Sequence, residues 1–320
     1  MMATHCTSLV SVLGVFLVLT LYHNRITVSG QNIPAVALFT FGDSNFDAGN
    51  KQTLTQAHVA QGFWPYGKSR DDPNGKFSDG FIAPDFVAKF MGIPIEIPAA
   101  LKPNVNVSRG ASFAVADATL LGAPVESVSQ FSVTNKLKND ISLLYSSGAS
   151  KFVIQTLAPL GCLPIVRQDY NTGMDQCYEK LNDLAKQHNE KIGPMLNEMA
   201  KASPGFQFTV FDFYNVILRR TQRNLNFRFF VTNSSCCGIG THNAYGCGLP
   251  NVHSKLCEYQ RSYLFFDGRH NTEKAQEMFG NLLFGADPNV IQPMNVRELV
   301  VYPADEPMRE SWMPTTSATF

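Results

Sequence analysis

The chain has 320 residues, with 26 basic and 26 acidic side chains and a formal net charge of zero. With no net positive field and no long basic block, nucleic acid and anionic membrane surfaces are poor partners, and a neutral or lipid-like substrate fits better.

Leu9 to Tyr22 is almost continuously apolar and is followed by Val28-Ser29-Gly30. This reads as a secretory signal, residues 1–30, cleaved before Gln31, with an uncleaved anchor as the alternative. No later segment approaches the ~18 uninterrupted apolar residues of a spanning helix, so no transmembrane anchor is expected in the secreted chain. The ~290 residues that remain suffice for one α/β domain, 31–302, burying about three quarters of its unfolded surface. Ala35–Phe41, Lys151–Leu157 and Phe206–Phe213 read as buried strands, and Asp85–Met91, Ser132–Leu144 and Cys177–Met199 as helices. The alternation predicts a parallel, helix-covered sheet. Pro65–Gly80 is turn-rich and carries both charges, the pattern of a surface loop near the mouth of a site. Asn224–Gln260 is irregular and relies on cysteines for rigidity, and 303–320 reads as a loosely held tail.

Beyond the leader, Cys162, Cys177, Cys236, Cys237, Cys247 and Cys257 remain, an even set that suggests three disulfides in a secretory chain. Locality favours Cys162 with Cys177 and the other four among themselves. The competing reading, a metal cluster, lacks the two-residue gap of a zinc knuckle at Cys236-Cys237, and no metal is expected. His58, His188, His242 and His253 have no ligand spacing and read as surface or loop residues. Two sequons make Asn106 and Asn233 candidate glycan acceptors.

Chemistry concentrates at two points. Gly42-Asp43-Ser44 closes the run Val36–Phe41, placing Ser44 on the loop at a strand's carboxyl end, where open α/β sheets build their sites. Alone it would be an ordinary turn. Near the C-terminus, Asp267-Gly268-Arg269-His270 enters a helix predicted from about Asn271, and Asp267 can turn back to orient the His270 ring. Alone that motif would be a helix cap beside a surface histidine. Together they supply nucleophile, base and orienting carboxylate in the chain order Ser, Asp, His. A rival elbow, Gly110-Ala111-Ser112-Phe113-Ala114, has Ala where Gly-x-Ser-x-Gly needs Gly. Phe63-Trp64-Pro65-Tyr66 is a candidate wall of an acyl pocket.

These residues carry a family resemblance. Phe41-Gly42-Asp43-Ser44-Asn45-Phe46-Asp47-Ala48-Gly49-Asn50 resembles the first block of the plant GDSL esterase/lipases, within the SGNH hydrolase superfamily. Asn74–Gly80 resembles their characteristic loop, Leu157–Pro164 another shared stretch, and Asp267–His270 the last block. Phe113–Ala118 and Gln292–Leu299 are similar to the crucifer myrosinase-associated and epithiospecifier-modifier-like branch. The resemblance implies a flavodoxin-like three-layer α/β/α fold with a mainly parallel sheet, and hydrolysis of a small ester or lipid without a cofactor. It implies Ser44, Asp267 and His270 as catalytic residues, and backbone N–H donors at Ser44 and Ala116 for the oxyanion. The branch implies a myrosinase-type glycosidase as partner.

The chain departs from the family pattern twice. Ala116-Asp117 stands where the family has a Gly pair, and a positive φ there would cost about 1 kcal/mol. No Gly-x-Asn-Asp block lies between Ala118 and Lys151, and Asn139-Asp140 falls within a helical pattern. The link from Leu120-Leu121-Gly122 to Ser132-Val133-Thr134 is several dozen residues short of the pattern. A central strand beside the Ser44 strand is therefore expected to be missing, leaving the core open there.

Overall fold

A computed structural model describes residues 15–28, 31–55, 59–118, 130–221, 229–285, 287–303 and 306–308. Its strands are β1 (Val15–Val28), β2 (Gln31–Phe41), β3 (Gly110–Ser112), β4 (Lys151–Gln155), β5 (Gln207–Phe211), β6 (Val231–Ser235), β7 (Cys237–Gly238), β8 (Lys255–Leu256), β9 (Tyr263–Phe265) and β10 (Ile291–Gln292). Its α-helices are α1 (Asn50–Leu54), α2 (Ala83–Phe90), α3 (Gln130–Ser146), α4 (Pro164–Asp169), α5 (Glu179–Ala202), α6 (Phe213–Thr221), α7 (Glu273–Phe284) and α8 (Val296–Val301).

The central sheet has the order β10-β5-β4-β1-β2-β3. β4 and β5 are buried along their whole length, their polar residues Lys151, Gln155, Gln207 and Thr209 included. β2 runs parallel to β3 and β4 to β5, while β10 closes one edge antiparallel to β5. Gly110 lets β3 approach β2: a Cβ there would stand 1.9 Å from the Leu38 carbonyl oxygen. Helix α2 packs on α7, α3 on α5, and α8 against β4 and β5, completing a three-layer α/β/α arrangement. The edge strand β10 and the central β1 are the exceptions to the parallel sheet read from the sequence.

β1 corrects the expectation of an open core. It lies between β2 and β4, antiparallel to both, pairing from Val15↔Phe41 to Val28↔Gln31 on one side and from Val15↔Ile154 to Val18↔Lys151 on the other. Much of the segment read as a cleaved leader is therefore a strand here, in the place where the missing one was expected. Its direction follows from chain connectivity. Only Ser29 and Gly30 separate it from β2, whereas a parallel neighbour needs a crossover of a dozen or more residues.

Other expectations are revised by burial. Pro65–Gly80 faces inward at Tyr66, Lys76, Ser78 and Asp79. Lys76 Nζ meets Asp85 Oδ2 at 2.8 Å with both side chains buried, and Asp85 also accepts the N–H groups of Ile82 and Ile97, so Lys76 is paired rather than solvated, whereas Arg70, Asp71 and Asp72 are exposed as expected of a surface loop. His188 is buried in α5 rather than in a surface or loop position, and desolvation pushes it down to about 4; His242 lies in a turn, as expected, but is buried there. His253 is exposed, and His58 lies outside the described residues. The tail is held as far as Met308, which is buried and accepts the Phe208 N–H on its sulfur, while 309–320 lie outside the described residues.

The disulfides are Cys162–Cys177, Cys236–Cys257 and Cys237–Cys247, the local pattern expected. The last two share a small core with Tyr66 and Phe266, so the region around them has apolar packing as well as cross-links.

A chain beginning at Gln31 exposes the inner edges of β2 and β4 within the core, where unpaired backbone groups are costly. Compared with the full chain by thermal unfolding, it is expected to melt at lower temperature, because net stability is only about 5–15 kcal/mol. Equal melting would show that β1 is not the strand that completes the sheet.

Candidate active site

The loop after β2 carries Ser44, and the turn before α7 carries Asp267 and His270. Ser44 Oγ lies 2.8 Å from His270 Nε2, and His270 Nδ1 lies 2.7 Å from Asp267 Oδ2 and 2.8 Å from Oδ1. Asp267 and His270 are buried while Ser44 is half-buried, so the hydroxyl is the accessible end of the relay. The turn is local in origin. Asp267 Oδ1 accepts the N–H groups of Arg269 and His270, each at 2.8 Å, and Thr272 caps α7 by accepting the Ala275 N–H. A Cβ on Gly268 would stand 2.2 Å from the Ala244 carbonyl oxygen, which makes glycine the residue that fits this approach. Burial raises the Asp267 carboxyl, but the His270 charge and hydrogen bonds from His270, Arg269 and Tyr66 hold it well below the usual carboxylate range.

The first block is fastened by Asp47. Its buried carboxylate accepts N–H groups from Gly49, Asn50, Lys51 and Ala116, tying the Ser44 loop to the segment after β3. The Ala116 N–H, expected to face the oxyanion, instead donates to Asp47 Oδ2 at 2.8 Å. Asp117 does adopt a positive φ of 65°, the strain anticipated where the family has glycine, and makes an exposed ion pair with Lys51. Asn139 is exposed on α3 and supplies no donor. Among the described residues the Ser44 N–H has no hydrogen-bond partner.

One contact escaped the sequence reading. Tyr66 Oη donates to Asp267 Oδ2 at 2.7 Å across 201 positions of sequence. Phe77 packs against the His270 ring at 4.5 Å between centroids, so the Pro65–Gly80 loop walls the relay. Phe63, Trp64 and Pro65, with Leu249 and Val252, line a cavity of about 310 Å³, while Tyr66 is turned away to Asp267. Asn106 is exposed, whereas the Asn233 side-chain nitrogen donates to the Met174 carbonyl at 2.9 Å. Among the described residues no group of His, Cys, Asp and Glu could hold a metal, and no helix is long and apolar enough to cross a membrane.

The GDSL-like Lipase/Acylhydrolase description matches residues 38–145 and 130–283. The chain is 73% identical to inactive GDSL esterase/lipase-like protein 23 of Arabidopsis thaliana, over 100% of this chain and 97% of that protein. It is 71% identical to GDSL esterase/lipase 22 of the same plant, over 100% and 96%, and 61% identical to its GDSL esterase/lipase ESM1, over 97% and 94%. The first alignment spans 375 positions against 320 residues here, so at least 55 of those positions face no residue of this chain. The two family matches meet at 130–145, in α3, next to the link read as shortened.

Asp43, next to Ser44, is buried, and its Oδ1 accepts both the backbone and side-chain N–H of Asn45. Burial nevertheless lifts it from the ordinary 3.8 to about 6. The folded state then binds the extra proton, so this group's contribution to stability falls as pH rises from about 4 through 6, by about 3 kcal/mol. Asp43→Asn removes that contribution, and its melting temperature relative to wild type is expected to climb between pH 4 and 7. Asp117→Gly relieves the positive φ and is expected to gain about 0.5–1 kcal/mol in chemical denaturation, the lost surface ion pair counting for little.

Proposed function

The chain belongs to the GDSL-like lipase/acylhydrolase family, and on that premise we propose that it hydrolyses carboxylic esters through Ser44, His270 and Asp267. The observation that carries this reading is the unbroken relay from Ser44 Oγ to His270 to Asp267, with hydrogen-bond distances of 2.8 and 2.7 Å. In this reading His270 Nε2 takes the Ser44 proton as Oγ attacks the ester carbonyl, and returns it to the leaving alcohol. Asp267 holds the proton on Nδ1 and stabilises the imidazolium. Water then cleaves the acyl-enzyme by the same path, with His270 as base again.

Activity is expected to be weak. The Ser44 N–H serves the oxyanion, but the Ala116 N–H is committed to Asp47 and no Asn block supplies a third donor, and each lost donor costs about 10²–10³ in kcat. A small ester or lipid is the proposed substrate class, with the cavity beside Trp64 as the candidate acyl site. Three disulfides support passage through an oxidising compartment, with Asn106 as the more accessible glycan acceptor. Secretion with cleavage before Gln31 and retention of β1 are alternative fates of the same residues.

A second reading is favoured by the committed Ala116 donor: a scaffold that has kept the fold and binds a secreted glycosidase of the myrosinase type. The two separate on turnover. Purified chain is expected to cleave a p-nitrophenyl short-chain ester, and a fluorophosphonate should label Ser44. Ser44→Ala should lose at least 10³-fold in kcat and all labelling. Equal rates for the two proteins would refute catalysis by this relay.

A further inference from the structure

Asp267 Oδ1 is fixed by two backbone N–H groups and faces Nδ1 of His270. Oδ2 has a different set of partners: Nδ1 at 2.7 Å and the Tyr66 hydroxyl at 2.7 Å. A carboxylate anchored at one oxygen can still swing the other, and a buried lone pair without a donor is costly. We infer that Tyr66 is a positioning residue: its hydroxyl fixes Asp267 Oδ2 and shares the carboxylate's charge, setting how strongly Asp267 holds and polarises His270. The inference rests on the ester-hydrolase reading for its kinetic consequences only.

Tyr66 is built to stay in place. It is buried, meets Phe266 and Phe77 edge to face at 5.2 and 5.9 Å, and lies so close to Gly248 that a Cβ there would stand 2.9 Å from its ring. The phenol keeps its proton: burial and then the Asp267 charge push it well above its ordinary value. Phe77, in edge contact with Tyr66, also packs on His270, so one aromatic wall backs both members of the pair. Two other charged groups act here. Asp43 interacts with His270 from the Ser44 loop, and Arg269 interacts with Tyr66 from the turn before α7. Both are unchanged in a Tyr66 variant, so a difference between variant and wild type isolates the hydroxyl.

Tyr66→Phe keeps the ring and deletes the donor. With a p-nitrophenyl ester, kcat is expected to fall about tenfold with KM unchanged. The acid limb of kcat/KM should move to higher pH by about half a unit, since a carboxylate with one donor fewer concentrates its charge on the imidazolium. Fluorotyrosine at position 66, a stronger donor that fits the same space, should move the limb the other way and covers the case in which the Phe variant does not fold. NMR titration of the His270 ring in both proteins reads the same shifts without turnover, so the inference remains testable even if the chain proves to have no esterase activity. A purely structural Tyr66 would lower the melting temperature and leave limb and ring titration where they are. That outcome in the variants that fold overturns the inference.

Discussion

The central sheet is one object because β1 pairs with both β2 and β4. β2 with β3, carrying the Ser44 loop, forms one half, and β4 with β5 and β10 forms the other. Strands pair at a spacing of about 4.8 Å, so removing an interior strand leaves a gap of about two spacings that neither half can bridge. Two residues of sequence separate β2 from the strand that precedes it, and such a neighbour must run antiparallel. The strand that precedes β2 thus joins the two parallel pairs into one sheet, in a chain at least 55 positions shorter than its relative's alignment.

Around that sheet, buried carboxylates do the local fastening. Asp47 gathers four backbone N–H groups, Asp85 gathers two and a lysine, and Asp267 gathers two together with a tyrosine and a histidine. Each joins segments that have little regular structure of their own. Loops can hold Ser44, Asp267 and His270 in place because a charge is paired at each crossing point, and removing a partner from such a site leaves an uncompensated charge.

The parts legible in the sequence were those whose signal is local. Ser44 after a buried run, Asp267 three residues before His270, and the Cys162–Cys177 pair follow from local sequence, while the nested pairing of Cys236 with Cys257 and Cys237 with Cys247 does not; the structure brings Ser44, His270 and Asp267 together. What escaped was tertiary. Tyr66 and Asp267 are 201 positions apart, and nothing in Trp-Pro-Tyr announces a carboxylate partner. Lys76 looked solvated because Asp85, which neutralises it, belongs to the next helix. The leader and β1 illustrate an ambiguity of chemistry: an apolar run suits a translocation channel and a strand of a central sheet alike.

The committed Ala116 donor has one more consequence. A carboxylate is chemically an oxyanion, and Asp47 offers the Ala116 N–H a permanent version of the charge that ester attack creates for a moment. The loop at rest is already occupied by an incumbent from its own chain. Under the proposed reaction, an oxyanion seeking that donor would have to displace a charged acceptor held by three further amides. In this protein the device that secures the Ser44 loop also occupies the donor that the proposed reaction would call on.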